Sequence, residues 1–301
     1  MTRRGLLLFA AMCVIWGIPY LFIRIAVSEI SPAMLVFLRT GLAALIFLPL
    51  VFVRGGIGAI GKRWPALVLF AGVEVAAPWF LLSSAEQQIS SALAGLLIAA
   101  VPLTSVVIAA LFGNREYFGA TTLGGLLVGV AGVALIVGFD LRASSPLALV
   151  EMAGVVVGYS LGPAILARYL TGISSVVVNG SALALCCVAY APFAVLTWPH
   201  TPPSLGVIAA VVVLAVLCTA LAFLLFFALI AEIGPVRSTV ITYVNPAVAA
   251  VLGVAVLHEN LTLGMGAGFA LVLIGSVLST RRGKGARPAP VAPEPEQAIH
   301  A

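Results

Sequence analysis

The chain contains little charge. Of its 301 residues only 8% are Asp, Glu, Lys or Arg, whereas 62% are hydrophobic and the mean hydropathy is +1.22. Soluble domains carry roughly a quarter charged residues, so this scarcity excludes a soluble globular protein. The net charge of +5 comes mostly from short loops and the C-terminal tail, where basic residues set membrane orientation. It therefore predicts no nucleic-acid partner.

Residues that form disulfides and metal sites are also scarce. The four cysteines all lie inside apolar runs, and the three histidines lie in short loops or in the tail. This distribution fits neither a disulfide framework nor the spacing of metal ligands. We therefore expect no metal, no cofactor, no catalytic residues and no enzymatic activity. The cysteines are Cys13, Cys186, Cys187 and Cys218, and the histidines are His200, His258 and His300.

The chain is instead rich in long apolar runs. A membrane-spanning helix needs roughly 20 mostly apolar residues, and short connections with turn formers separate ten such runs. The sequence predicts an all-α integral membrane protein embedded in a lipid bilayer, followed by a disordered cytoplasmic tail over 283–301. The ten predicted spans are 5–27, 33–53, 64–82, 90–112, 119–138, 147–169, 174–197, 204–230, 236–257 and 263–280.

Basic residues are distributed unequally between the two sides of the predicted membrane. Arg63 and Arg237 are typical of the side that holds the N-terminus, whereas Arg142 is the only basic residue in the loops of the other side. Because Lys and Arg collect in cytoplasmic loops, this asymmetry predicts that both termini are cytoplasmic.

A faint internal repeat relates the two halves of the chain. Three pairs of residues share an offset of 144 positions (163 − 19, 168 − 24 and 246 − 102), and this offset maps five spans onto five spans. An odd number of spans per half forces opposite orientations, which is the inverted-repeat plan of many transporters. We therefore predict two inverted five-helix repeats, 1–140 and 147–282. Proline interrupts helical hydrogen bonding, so helix breaks are expected at Pro19, Pro102, Pro163 and Pro246.

Two charged residues lie inside predicted spans. A carboxylate at the position of Glu74, in the middle of the third span, costs about 2.5–3.5 kcal/mol unless it has a partner, a cavity or a proton. It is either a proton-coupling or amine-binding group, or a structural hydrogen-bond acceptor for a neighbouring helix. Arg39 lies about six residues into the second span. It either reaches the headgroups with its long side chain or binds a substrate carboxylate.

Aromatic and amide side chains near the proline steps complete the predicted pathway. Large rings beside helix breaks suit a mostly apolar pocket with a few polar groups, although each ring is equally explained by packing. A buried amide or phenol needs a hydrogen-bond partner at this depth, which favours a pathway role for the polar members of the set. The pathway candidates are Trp16, Tyr20, Arg39, Glu74, Trp79, Tyr159, Tyr243 and Asn245.

Several short motifs follow one another along the spans: Trp16-Gly17, Phe37-Leu38-Arg39, Thr219-Ala220-Leu221-Ala222-Phe223, Tyr243-Val244-Asn245-Pro246 and His258-Glu259-Asn260-Leu261-Thr262. In their order and spacing they resemble the drug/metabolite transporter superfamily, in its ten-span EamA-type branch. The resemblance covers nearly the whole chain apart from the tail. It implies a multi-pass inner (plasma) membrane transporter of small metabolites, such as amino acids or amphipathic and toxic compounds. It also implies that transport is often outward and often proton-coupled. Two inverted halves with a site between them would work by alternating access.

Two readings from other classes compete with transport. Gly158-Tyr159-Ser160-Leu161-Gly162 matches the G-x-S-x-G pattern of serine hydrolases, but that pattern requires a strand-to-helix turn. An intramembrane hydrolase that uses Ser160 is one alternative, and a non-transporting scaffold subunit is the other. The small-residue pairs Gly125/Gly129 and Gly154/Gly158 allow close helix approach within one chain or between chains. We therefore expect a monomer or a homodimer that binds a small-molecule substrate.

Overall fold

A computed structural model describes residues 2–53, 57–112, 119–140 and 145–280, and this part of the chain is helical, without strands. Nine of its helices are long and apolar enough to cross a membrane, and a tenth apolar helix is shorter. The expected ten-helix architecture is therefore confirmed. The ten helices are α1 (Arg3–Ala26), α2 (Pro32–Val53), α3 (Trp64–Ala85), α4 (Ser91–Leu111), α5 (Ala120–Asp140), α6 (Pro146–Tyr169), α7 (Ser175–Leu196), α8 (Leu205–Ile233), α9 (Ile241–Leu257) and α10 (Leu263–Thr280).

The ends of these helices define two faces. Arg3 at the start of α1 and Thr280 at the end of α10 lie on one face, which we call the terminal face; the other is the opposite face. The expected disordered tail, 283–301, lies outside the described residues. So does most of the predicted boundary between the repeats at 141–146, of which 141–144 are not described.

Only two of the four prolines at which breaks are expected interrupt their helices. Helix α1 is broken between Ile15 and Pro19, and α4 is broken between Ile98 and Val101, just before Pro102. In contrast to the sequence expectation, α6 runs without interruption through Pro163, and α9 runs through Pro246. At Pro163 and Pro246 the helix loses one N–H donor but keeps its direction of hydrogen bonding on both sides of the proline. The chain turns earlier instead, between the short helix Pro235–Ser238 and the start of α9.

Two helices contain π-helical segments at corresponding places. Ala71–Ala76 lies within α3, the third helix of the first half, and Val213–Leu221 lies within α8, the third helix of the second half. Such segments are uncommon and frequently mark functional sites, because the wider turn alters the direction in which side chains project. Their matching positions extend the internal repeat from sequence to backbone geometry.

Helix packing relates the two halves by an approximate two-fold pattern. Each of three helices in the first half packs on its own counterpart in the second: α2 on α7, α4 on α9 and α5 on α10. Helix α1 packs on α8, and its counterpart α6 packs on α3. This reciprocal pattern is the arrangement that two inverted repeats produce when they share one core.

Glycines permit the closest of these contacts. A Cβ atom at Gly125 would lie 2.5 Å from the main-chain nitrogen of Ser279, and one at Gly275 would lie 2.4 Å from that of Gly129. Helices α5 and α10 are therefore in backbone contact through the small-residue spacing seen in the sequence. Gly158 packs in the same way against α3, where a Cβ would lie 2.6 Å from the Val73 carbonyl oxygen. Both glycine pairs thus act within the chain.

Candidate substrate site

Arg39 lies in the interior, between the two halves. Its side chain is only 7% exposed, its Nε donates to Thr219 Oγ1 at 2.9 Å, and its Cζ lies 3.7 Å from the centre of the Trp79 ring. It therefore does not extend to the headgroups, as a snorkelling arginine would. A cation over an indole face is attracted by the ring quadrupole, most strongly where water is excluded. Three helices, α2, α3 and α8, meet at this point.

The π-helical segment of α8 orients Thr219 toward Arg39. The Thr219 hydroxyl donates to the Leu214 carbonyl oxygen at 2.8 Å, five residues earlier in the chain, and accepts the Arg39 Nε–H. In a regular α-helix the hydroxyl would bond three or four residues back. The π-helical geometry therefore fixes the rotamer that presents the oxygen to the guanidinium.

Two tyrosines stand beside this arginine. Tyr20 follows the break in α1 and is buried, and Tyr159 lies in the middle of α6. Both phenols are within electrostatic range of Arg39 and of each other, and Tyr159 lies beside Trp79. The structure thus brings together four of the predicted pathway residues, contributed by α1, α2, α3 and α6.

An aromatic cluster follows on the side of the terminal face. Trp16 packs against Phe223 with ring centroids 6.1 Å apart and against Phe226 at 4.7 Å, and Phe223 also contacts Phe47 at 6.4 Å. Phe223 lies one helical turn beyond Thr219, so the aromatic cluster begins one turn closer to the terminal face than the contact between Arg39 and Thr219. A buried cation above an apolar aromatic wall suits a ligand that carries both an anionic and an apolar part.

Glu74 lies in the π-helical segment of α3, beside α6. A Cβ atom placed on Gly162 would lie 1.8 Å from Glu74 Oε2, so the carboxyl group occupies the space that this glycine leaves empty. Oε2 is buried and has no hydrogen-bond partner among the described residues. Tyr159 is within electrostatic range. The structure thus places Glu74 next to the Arg39 cluster, and the described residues provide no hydrogen bond to Oε2.

Asn245 joins α9 to the break in α1. Its amide nitrogen, in the orientation that satisfies the surrounding acceptors, donates to Ile241 O at 2.9 Å and to Cys13 O at 3.0 Å. The break explains the second bond, because the Gly17 and Ile18 N–H groups both bond to Val14 O. The Cys13 carbonyl therefore lacks the N–H that a regular helix would supply.

Other candidates lie away from this centre. The Tyr243 hydroxyl is 3.4 Å from that of Thr280 near the terminal face. The Ser160 hydroxyl bonds to Val156 O at 2.7 Å and to Val101 O at 3.1 Å, so its proton is directed at main-chain acceptors. Within the described part of the chain, no group of three or more His, Cys, Asp or Glu side chains is placed to hold a metal ion.

Thr219 is a partner of the candidate site that charge and aromatic character in the sequence do not predict. In the sequence it belongs to one of the family motifs, but an uncharged threonine in a span is not by itself a candidate. A signal was nevertheless present, since it is a polar residue at the centre of the 29-residue helix Leu205–Ile233, the most hydropathic of the spans. Polar groups in such surroundings need a partner, and here the partner is Arg39.

Hydrogen bonds join the two halves at the opposite face. Glu259 Oε1 accepts a hydrogen bond from the Ser91 main-chain N–H at 2.8 Å. Its Oε2 accepts one from the Ala92 main-chain N–H at 2.9 Å and one from the Ser91 hydroxyl at 3.0 Å. Ser84 donates to Glu151 Oε1 at 2.7 Å. Two loop contacts, Glu29 with Ser204 and Ser31 with Thr197, also join the halves here. We call this hydrogen-bonded arrangement of the opposite face closed.

Known proteins share this sequence pattern and fold. A protein of Archaeoglobus fulgidus named an uncharacterized transporter is 26% identical over 278 residues, which are 89% of this chain and 95% of that protein. The protein named uncharacterized inner membrane transporter YedA, from Escherichia coli K12, is 26% identical over 256 residues, 84% of this chain and 82% of its own length. A crystal structure that is 21% identical covers 93% of this chain and 97% of its own with a TM-score of 0.65, which shows the shared fold.

The family comparison agrees with the two-fold packing of the helices. The chain matches the EamA-like transporter family twice, over residues 3–138 and again over residues 147–281. Together with the ten helices, these two matches leave little of the sequence unaccounted for. The chain is a multi-pass membrane protein and belongs to the EamA-like transporter family.

Proposed function

We propose that this protein moves small zwitterionic or amphipathic metabolites across the membrane, through a site centred on Arg39. The single observation that carries the proposal is the Arg39 guanidinium, buried between the two halves, stacked on Trp79 and tied to Thr219. A charge at this depth is costly, and intramembrane charges characteristically mark substrate pathways. The adjacent ring cluster around Phe223 fits the apolar part of such a substrate.

The proposed mechanism is alternating access between the two halves. Reciprocal helix packing gives the halves equivalent interfaces, and the breaks in α1 and α4 offer points at which helix segments can change direction. Inverted-repeat transporters work by rocking one unit against the other around a site near the midplane. The hydrogen bonds across the opposite face would then have to break whenever that face opens.

The proposal includes export and proton coupling. The excess of basic residues on the terminal face supports a cytoplasmic location for both termini, and the name of the Escherichia coli relative supports the inner membrane. Glu74 would bind the coupling proton or a substrate amine, because its Oε2 is buried without a partner next to Tyr159. Protonation removes the cost of keeping this carboxylate in an apolar environment.

Transport into and out of proteoliposomes tests the proposal. The assay uses labelled amino acids and cationic dyes, with and without an imposed pH gradient. Hydrogen bonds to a charged group contribute about 1.5–3 kcal/mol, which corresponds to about a 10- to 150-fold change in substrate affinity. For a substrate that is transported, Arg39→Gln should raise KM by this factor, and Arg39→Lys should restore only part of the loss because an ammonium lacks the planar donor fork.

Arg168→Gln is the matched control, because Arg168 lies at the end of α6 beside the exposed ring of Tyr169. It should transport like the wild type. Glu74→Gln should lose the response to the pH gradient while it retains transport down a substrate gradient. Equal KM values for Arg39→Gln and wild type would show that Arg39 does not bind the substrate. An unchanged response in Glu74→Gln would remove Glu74 from proton coupling.

A further inference from the structure

A second buried carboxyl group lies where the sequence did not indicate a site. Glu86 directly follows the last residue of α3, at the opposite face, and its side chain has an exposure of 0%. Both carboxyl oxygens are buried and have no hydrogen-bond partner among the described residues. A polar residue at a predicted span end suggests a solvated loop. Its complete burial is a result of tertiary packing.

Charged and titratable groups surround Glu86 from several elements. Arg24 at the end of α1 donates from Nη1 to the main-chain carbonyl oxygen of Glu86, rather than to its carboxyl group. Arg39 is occupied by Thr219 and the Trp79 ring, as described above. The remaining groups within electrostatic range are Glu259 in the turn between α9 and α10, Tyr20 on α1 and Tyr159 on α6.

These surroundings favour the neutral acid. Burial raises the pKa of Glu86 well above its ordinary value, and the negative charge of Glu259 raises it further, while Arg24 and Arg39 act in the opposite direction. An ionised carboxylate buried without hydrogen bonds is strongly disfavoured, so such a group takes up a proton instead. In the closed arrangement of this face, Glu86 is therefore protonated over a wider pH range than an exposed glutamate.

Two residues next to Glu86 line a groove at the opposite face. A groove of about 370 Å³ opens at the opposite face and is lined by Arg24, Val27, Ser28 and Gln87. Two of these residues are immediate neighbours of Glu86, one through the hydrogen bond from Arg24 and the other along the chain. Movement of the Arg24 side chain is therefore the step that we expect to bring water to the carboxyl group.

We propose that Glu86 is a proton-binding site at the opposite face, and that loss of its proton opens this face of the transporter. The released proton passes to water in the groove. The new carboxylate attracts the Arg24 guanidinium, which is already bonded to the same residue, and repels the Glu259 carboxylate, which holds Ser91 and Ala92 across the two halves. The inference rests on the proposed alternating access, and it assigns to that cycle a proton site separate from Glu74.

The direction of the pH effect follows from linkage. The closed face binds this proton more tightly than the open face, where Glu86 approaches the ordinary glutamate pKa of about 4.3. The closed face is therefore fully favoured below that pH and loses population as the pH rises toward the higher pKa of the closed state. Between the two values, each pH unit changes the ratio of closed to open molecules about tenfold, or about 1.4 kcal/mol.

The test measures this opening directly, without a transported substrate. Spin labels are attached to cysteines introduced at Ser28 and Asn260, two exposed positions that lie on the opposite face in different halves. The full-length protein carries alanine at its four native cysteine positions and is placed in lipid nanodiscs. Electron–electron distances are recorded between about pH 5 and about pH 9, and infrared difference spectra over the same range report protonated carboxyl groups.

We expect the wild-type distance to lengthen as the pH rises, together with loss of a carboxyl band. Glu86→Gln mimics the neutral acid, so it should fold, stay closed at every pH and lack that band. Glu151→Gln is the matched control, because Glu151 is a buried carboxyl group at the same face that already accepts a hydrogen bond from Ser84. This variant keeps an acceptor oxygen and should keep the distance change. Arg24→Gln removes the partner of the ionised form and should move the transition to higher pH by at least about one unit, a tenfold effect.

A wild-type distance that does not change with pH overturns the proposal, and so does a Glu86→Gln variant that keeps the wild-type transition. If Glu86→Gln does not fold, the decision passes to Arg24→Gln, and an unshifted transition in that variant overturns the proposal. A normal distance change in a protein that transports none of the tested solutes counts against the proposed function alone. Transport without any distance change counts against the Glu86 site alone.

Discussion

Replacing Glu259 by alanine removes three hydrogen bonds at once from the contact between α4 and the turn after α9. The local structure explains why this carboxylate reaches so far. Helix α9 ends at Leu257. The next residue, His258, is in a left-handed conformation (φ 55°), and the Glu259 N–H donates back to Gly253 O at 3.1 Å. Gly253 also leaves room for the carboxyl group, because a Cβ there would lie 2.3 Å from Glu259 Oε2. The side chain is thereby directed at the first N–H groups of α4, which lack helical partners.

The expected loss of stability follows from those bonds. A hydrogen bond to a charged group contributes about 1.5–3 kcal/mol, and a half-buried site belongs at the lower end of this range. The Ser91 hydroxyl is buried and loses its acceptor as well, so the two main-chain bonds alone set a lower bound. Glu259→Ala should therefore lower the free energy of unfolding by at least about 3 kcal/mol, or about 150-fold in the equilibrium constant. Glu259→Gln keeps one acceptor oxygen and should lose about half as much.

Equilibrium unfolding in mixed micelles with increasing SDS, followed by tryptophan fluorescence, measures this difference. Glu29→Ala is the matched control, because Glu29 is an exposed carboxylate on the same face with one bond, from the Ser204 N–H at 2.6 Å. Glu29→Ala should lower the free energy of unfolding by clearly less than Glu259→Ala. If Glu259→Ala unfolds within about 0.5 kcal/mol of the wild type, a change typical of an unengaged surface position, then the Glu259 contact does not stabilise this face.

Two further predictions use the same unfolding assay. Gly162→Ala places a methyl group where the Glu74 carboxyl group lies and should cost about 1–3 kcal/mol by overpacking. Gly72→Ala has open space around it and should remain near wild type, so equal losses for the two would show that Glu74 does not need the gap. The hydrogen bond from the Ser204 N–H lowers the pKa of Glu29, so its stabilisation is present above the ordinary pKa of about 4.3 and disappears as the pH falls through the folded value. The stability difference between wild type and Glu29→Gln should therefore shrink on acidification, and a difference that stays constant would contradict the assigned bond.

The Arg39 cluster and the Glu86 site suggest how one fold could separate two tasks. The cluster lies where α2, α3, α6 and α8 converge, and it contains the polar and aromatic groups suited to a substrate. Glu86 lies nearer the opposite face, among the contacts that hold the halves together. Tyr20 and Tyr159 are within electrostatic range of both. A change of charge at one site would therefore be felt at the other through the same two side chains.

Composition and spacing alone determined the membrane class, the ten spans and the two-part organisation. Hydrocarbon imposes one length and one polarity on every spanning helix, so these features are local and can be read from any window of the chain. The same reasoning identified Arg39, Glu74, Trp79 and Tyr159, because charge or a large amphipathic ring is conspicuous in such an environment.

Only the tertiary structure decided what those side chains do. Whether Arg39 points to the headgroups or to Thr219 depends on a π-helical segment in another helix, 180 positions away in sequence. A proline predicts a break at every such position, but α1 is broken just before Pro19 whereas α6 continues through Pro163. The proline alone therefore does not decide the outcome. The burial of Glu86 at a helix end depends equally on contacts between elements distant in sequence. The bilayer sets the length and polarity of each helix, and both can be read from a local stretch of sequence. The direction and partners of a polar side chain are instead set by packing among helices that are distant in the sequence.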